Sequence, residues 1–137
     1  MKNFHILGIG FLLLLTAAAF TQQQPPKNAP QAPTQISADL GSCRVDFKVT
    51  DMLGKPIYDA KIKTVVRYGF LGKRKLSLEI GTNAEGRARF AKMPEQVRDP
   101  LEFEITHGTD SLIMTWDPAT NCVAEYPVLL GAKTPKE

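Results

Sequence analysis

From Ile36 onward the chain is a succession of short runs in which apolar and polar residues alternate with a period of two, the pattern of strands buried on one face. "CRVDFKVTD" puts Val45, Phe47 and Val49 on one side and Arg44, Asp46 and Lys48 on the other. "AKIKTVVRYGF" sets Ala60, Ile62, Thr64, Val66 and Tyr68 against Lys61, Lys63, Val65 and Arg67, and "KLSLEI" sets Leu76, Leu78 and Ile80 against Ser77 and Glu79. "RARF" turns Ala88 and Phe90 inward, and "LEFEIT" turns Leu101, Phe103 and Ile105 inward. In "SLIMTW" the heavier face is Leu112, Met114 and Trp116, which favours core packing of the tryptophan over a sugar platform. "CVAEYPVLL" closes the set, with Pro127 pointing to an edge or a bulge. Between the runs lie "DMLGKP", "GFLG", "TNAEG", "HGTD" and "DPATN", which supply the Gly, Pro, Asn and Asp that chain reversals need. The segment "AKMPEQVRD" has room for one helical turn, and no amphipathic helix is written elsewhere. The pattern predicts an all-β, seven-stranded sandwich.

The first 35 residues read differently. "MKNFHILGIGFLLLLTAAAF" has a basic Lys2, an apolar run from Ile6 to Leu15 and small residues at Ala17 and Ala19, the layout of a signal peptide over 1–19. The run is shorter than the roughly 20 residues a spanning helix needs, so no stable membrane span is expected after processing; an uncleaved anchor is the alternative. Residues 20–35, rich in Gln and Pro, have too little apolar surface to offset their ordering entropy and predict a disordered linker. The folded domain is expected over 36–131 and a disordered tail over 132–137. Export to the periplasm, cell envelope or exterior follows. Cys43 and Cys122 are the only cysteines, and in an oxidising compartment such a pair is expected to form a disulfide, two free thiols being the alternative.

Two stretches carry a resemblance. The first is "VTDMLGKPIYDAKI", with Asp51, Gly54 and Pro56; the second is "GTNAEGRARFAKMP", with Asn83 and Gly86. In this order they resemble the carboxypeptidase regulatory-like domain, a Greek-key β-sandwich of prealbumin (transthyretin-like) type. The resemblance implies that both motifs are turns and that the domain is a non-catalytic accessory module. Each residue also has a local reading: the glycines admit positive φ, Pro56 fixes φ at a strand entrance, and Asn83 bonds its own backbone to form a hairpin-like corner.

Candidate chemistry is sparse. His107 is the only histidine after residue 19 and lies in the turn "THGTD"; a metal site needs several donors together, and no metal, cofactor or catalytic residue is expected. Ser37, Ser42, Ser77 and Ser111 lack a nucleophile-elbow motif. The C-terminal Tyr-Arg-Gly-Ser of hydroxyisourate hydrolases is absent from "LLGAKTPKE", and the two tyrosines and two histidines that hold iron in intradiol dioxygenases exceed the histidines after residue 19. Glu102 and Glu104 share one strand face, whereas an acid–base pair faces across a cleft.

Charge is the remaining signal. Residues 61–92 hold nine basic and two acidic residues, whereas 95–125 hold one basic and seven acidic. One reading has Arg87 or Arg89 neutralised by Glu102 or Glu104 on neighbouring strands. The other has Lys61, Lys63, Arg67, Arg74, Arg87 and Arg89 sharing one outer face that attracts an anionic partner. The expected function is an exported, non-catalytic binding or accessory module whose partner is an envelope protein or an anionic glycan. A structural spacer or assembly subunit is the alternative, and a small hydrolase or metalloenzyme would need a cluster around His107 that the sequence does not announce. Nucleic acid is not an expected partner, because no aromatic residues are spaced among the basic ones for base stacking.

Overall fold

The computed structural model describes residues 30–131; the segments read as signal peptide, most of the linker, and tail lie outside them. Eight strands form: β1 Thr34–Ser37, β2 Cys43–Thr50, β3 Lys61–Tyr68, β4 Arg74–Gly81, β5 Arg87–Met93, β6 Leu101–His107, β7 Asp110–Trp116 and β8 Val123–Leu129. They make two four-stranded sheets, in the orders β1-β5-β2-β8 and β4-β3-β6-β7.

The alternating apolar residues fill the space between the sheets. Phe47 of β2 and Phe90 of β5 meet Phe103 of β6 at ring-centroid distances of 4.9 and 5.1 Å. Trp116 of β7 lies beyond Phe103 at 6.3 Å, 2% exposed. Its Nε1–H donates to the Asn121 carbonyl at 2.7 Å, which satisfies the one polar atom an indole carries into a core. Around these rings pack Val45, Val49, Ile62, Val66, Ile105 and Val128, all buried. Tyr126 of β8 packs on Phe47 from the edge of its sheet.

The strand count is eight where the alternation gave seven. The additional strand, β1, pairs parallel with β5 and begins at Thr34, inside the segment read as linker. Its sequence, Thr-Gln-Ile-Ser, has no alternation to announce it. What holds it is external: Thr34 Oγ1 donates to the carbonyls of Gly81 and Arg87, and Asn83 Nδ2 donates to the Ala32 carbonyl at 2.8 Å. The helical turn allowed to "AKMPEQVRD" is not there, because Pro94–Pro100 runs without helix; among the described residues the one 3-10 turn is Phe70–Gly72, in the β3–β4 hairpin.

The two motif turns share one design. In the first, Asp51 Oδ1 accepts from the N–H groups of Leu53 and Lys55, and Gly54 takes φ 79°. In the second, Asn83 Oδ1 accepts from Glu85 and Arg87, and Gly86 takes φ 72°. A side-chain acceptor bonding residues two and four ahead stands in for a backbone turn. At Gly86 a Cβ would also collide with the Val49 carbonyl oxygen. The second turn is not a hairpin, however. β4 lies in one sheet and β5 in the other, so "TNAEG" carries the chain across the sandwich.

Only an amide at position 83 both closes the turn and holds the incoming chain. Asn83→Asp is expected to keep the turn and lose the bond to Ala32, seen as faster amide exchange across β1 with little change in global stability. Asn83→Ala, which strips two N–H groups of their acceptor, is expected to lower stability by about 1–3 kcal/mol in denaturant unfolding.

Cys43, at the start of β2, is bonded to Cys122, just before β8. Cys43 is fully buried and Cys122 is exposed. A bridge in a domain of this size accords with an oxidising environment.

Candidate functional site

The six basic residues grouped by the sequence reading do not share a face. β3 turns Lys61, Lys63, Val65 and Arg67 outward. Arg74 pairs with Tyr68, so it follows the inward parity at the tip of the hairpin, and Lys75, in register with Arg67, is the residue that joins the outer face. The alternation of Leu76, Leu78 and Ile80 already carried that parity. Arg87 and Arg89 belong to β5 in the opposite sheet, because the "TNAEG" turn crosses between sheets.

Their partners differ from expectation too. Arg89 makes a two-pronged contact with Asp46 of β2, at 2.6 and 2.9 Å, and this carboxylate raises the guanidinium pKa further. Arg87 lies 3.9 Å from Glu125 of β8. Neither meets Glu102 or Glu104. Lys61 is held by Asp59 at 2.7 Å, a hydrogen bond that raises the lysine's pKa. Lys61, Arg87 and Arg89 are therefore each set beside a carboxylate.

What remains is a groove. The outer face of β3, β6 and β7 forms its floor, the β5–β6 connection from Val97 to Pro100 and the hairpin residues Leu71 and Gly72 form its walls, and its volume is about 800 Å³. Val65 and Ile113 give the floor an exposed apolar patch. Arg67, Lys75 and Arg98 line one part, and Glu102, Glu104 and Asp99 also border it. Lys63 sits between Glu79 and Glu104 in register across the three strands. None of these charged groups is in an ion pair within 4 Å among the described residues. Arg98 and Asp99 come from a loop without periodicity, so nothing in the local sequence assigned them to the site.

No family model matches the sequence, and no curated protein matches it. Solved structures do. The catechol 1,2-dioxygenase of Pseudomonas arvilla C-1 superposes with a TM-score of 0.52 at 14% identity, over 74% of this chain and 57% of that enzyme. The likeness is one of fold. The 3-chlorocatechol 1,2-dioxygenase of Rhodococcus opacus 1CP has a TM-score of 0.47 at 16% identity, over 77% of this chain and 68% of that one. For the catechol 1,2-dioxygenase of Acinetobacter sp. ADP1 the values are 0.47 and 10%, over 73% and 58%. The chain thus spans 57% of the length of the Pseudomonas enzyme.

This corrects the expectation of a non-catalytic module. That expectation rested on the family resemblance and on the sparse candidate chemistry, and a sandwich of similar fold forms part of an enzyme. No family-level or sequence match supports the carboxypeptidase regulatory-like assignment; what stands is an all-β, two-sheet sandwich.

The residues present do not fit an iron site of two tyrosines and two histidines. His107, the one histidine among the described residues, is exposed at the end of β6. Tyr68 lies at the far end of β3 from the Lys61–Thr106 pair beside it. Tyr126 is in the other sheet, and Tyr58 is 69% exposed on a loop. Among the described residues no three of His, Cys, Asp or Glu gather as metal donors.

Proposed function

We propose that the groove on the outer face of the second sheet is the working site, and that it takes a small organic acid that also carries a hydroxyl or amino group. The observation that carries this reading is the arrangement of unpaired charge around an apolar floor. A carboxylate would be met by Arg67, Lys75 and Arg98, the planar guanidinium being suited to two parallel bonds. The ligand's apolar body would lie on Val65 and Ile113, and its donor would face Glu102 or Glu104. A few polar groups around an apolar bed is the usual composition of a small-molecule site.

The test is calorimetric titration of the full chain with 4-hydroxybenzoate, with catechol as the comparison ligand because it keeps the ring and a hydroxyl but lacks the carboxylate. The same samples are followed by mass spectrometry, so that conversion is read beside binding. Saturable binding of 4-hydroxybenzoate, weakened about tenfold by Arg67→Glu and by added salt, is expected. Ile113→Asp is expected to abolish it. Equal affinity for catechol, or binding indifferent to both variants, would sink the reading.

Three further elements belong to this proposal. Export is supported by Lys2, the Ile6–Leu15 run and the small residues after it, together with the bridge. The Greek-key, prealbumin-type connectivity of the carboxypeptidase regulatory-like family is supported by the placement of β2 between antiparallel β5 and parallel β8, opposite β4-β3-β6-β7. The folded domain then runs from Thr34 rather than Ile36.

A further inference from the structure

The two ends of the sandwich differ in the charge around their exposed apolar residues. At one end the β3–β4 hairpin closes through Gly69, Phe70, Leu71, Gly72 and Lys73. Phe70 is 81% exposed and Leu71 66%. The backbone fixes this projection: Gly69, Leu71 and Gly72 all lie at positive φ, at 76°, 56° and 64°, and the turn is tied by Gly72 N–H to the Gly69 carbonyl and by Lys73 N–H to that of Phe70. A leucine held in the left-handed region is uncommon and costs free energy, so the turn keeps two large apolar side chains in water at the expense of backbone strain.

Charge surrounds them. Arg67, Lys73, Arg74 and Lys75 are all exposed, and from Lys61 to Leu78 the sequence holds no acidic residue. None of the four is in an ion pair among the described residues. The opposite end also exposes apolar residues, Met52 and Leu53 on the β2–β3 turn, but there the neighbours in sequence are Asp51, Lys55 and Asp59. Apolar side chains that enter the boundary between headgroups and acyl chains, ringed by cations that meet the phosphates, are the composition of a peripheral membrane contact.

We propose that the β3–β4 tip docks on an anionic lipid surface, with Phe70 and Leu71 entering the interface and Lys73 and Arg74 meeting lipid phosphates. The complementarity of exposed cations that make no ion pair among the described residues to anionic headgroups selects this occupant. Leu71, Arg67 and Lys75 border the groove as well, whereas Phe70, Lys73 and Arg74 lie outside its lining, so changes at these three test the tip apart from the groove.

The experiment uses the full chain carrying Phe70→Trp. The native Trp116 is buried and serves as the unquenched internal reference and as a monitor of folding. Vesicles of brominated phosphatidylcholine, alone or in equal parts with phosphatidylglycerol, are titrated in, and quenching of the new indole is read. Quenching on the anionic vesicles, with the half-point shifted about 30-fold or more by adding Lys73→Glu and Arg74→Glu, is the expected result, each cation near such a surface contributing about fivefold. Met52→Trp in the same vesicles is expected to remain unquenched, which separates tip docking from adsorption through any other part of the chain. Equal quenching on neutral vesicles, equal quenching of Met52→Trp, or none at Phe70→Trp overturns the proposal; the last would leave the tip to a protein partner.

Discussion

Phe103→Ala is expected to lower the free energy of unfolding by about 4 kcal/mol, within the 3–5 kcal/mol that removal of a buried phenyl ring typically costs. Phe103 is fully buried and is the ring that touches both sides: Phe47 and Phe90 from the first sheet and Trp116 from its own. Truncating it opens a void between two sheets whose backbones are tied by their own ladders and cannot easily close on it. In a domain of about 100 residues, each kcal/mol moves the melting temperature by about 4–8 °C, so a fall of about 15–30 °C is expected by differential scanning calorimetry. Phe103→Leu, which retains much of the volume, should recover more than half of the loss. An alanine variant that melts within a few degrees of the parent would mean that the aromatic cluster does not join the sheets as described.

The second large effect is on the bridge. Cys43 and Cys122 are separated by 79 positions, and for a loop of that size the chain-entropy model gives about 4.5 kcal/mol of stabilisation through the unfolded state. Cys43→Ala with Cys122→Ala is expected to lower the denaturant midpoint accordingly and to steepen the transition, because the unfolded chain without its crosslink exposes more surface. Alanine suits the site because Cys43 is fully buried and a hydroxyl there would lack a sure partner. Because Cys122 is exposed, reductant should reach the bridge without unfolding, so dithiothreitol added to native protein is expected to reproduce the double variant's midpoint. Protection from reductant until denaturation would contradict the exposure seen at Cys122.

Seven of the strands could be read from the chain because each has one face toward the core, and a period of two survives wherever that is so. β1 could not, since it is held by Thr34 and Asn83 and by the edge of β5 rather than by an apolar face of its own. Glu79 and Arg87 flank a short turn that looks, locally, like a hairpin. Sheet membership is decided elsewhere, by the pairing of β5 with β2, a partner some forty residues away. That single non-local choice separates Arg87 and Arg89 from Lys63 and Arg67, and it replaces the expected glutamate partners with Asp46 and Glu125. The site was therefore half readable: Lys63, Arg67 and, by parity, Lys75 follow from alternation, whereas Arg98 and Asp99 depend on how an irregular loop folds over the sheet.

The bridge also determines what tension does to the domain. β2 and β8 run parallel, with Cys43 and Cys122 linked at their leading ends. A pull applied between Cys43 and the residues after Leu129 travels through the two sulfur atoms and along β8 alone, since that is the shortest covalent path. Residues 44–121, which include both walls of the groove and the β3–β4 tip, lie off the line of force. A protein hauled from its two ends would lengthen by peeling β1 from β5 and by straightening and shearing β8, while the rest of the sandwich hung slack beside the load and kept its shape.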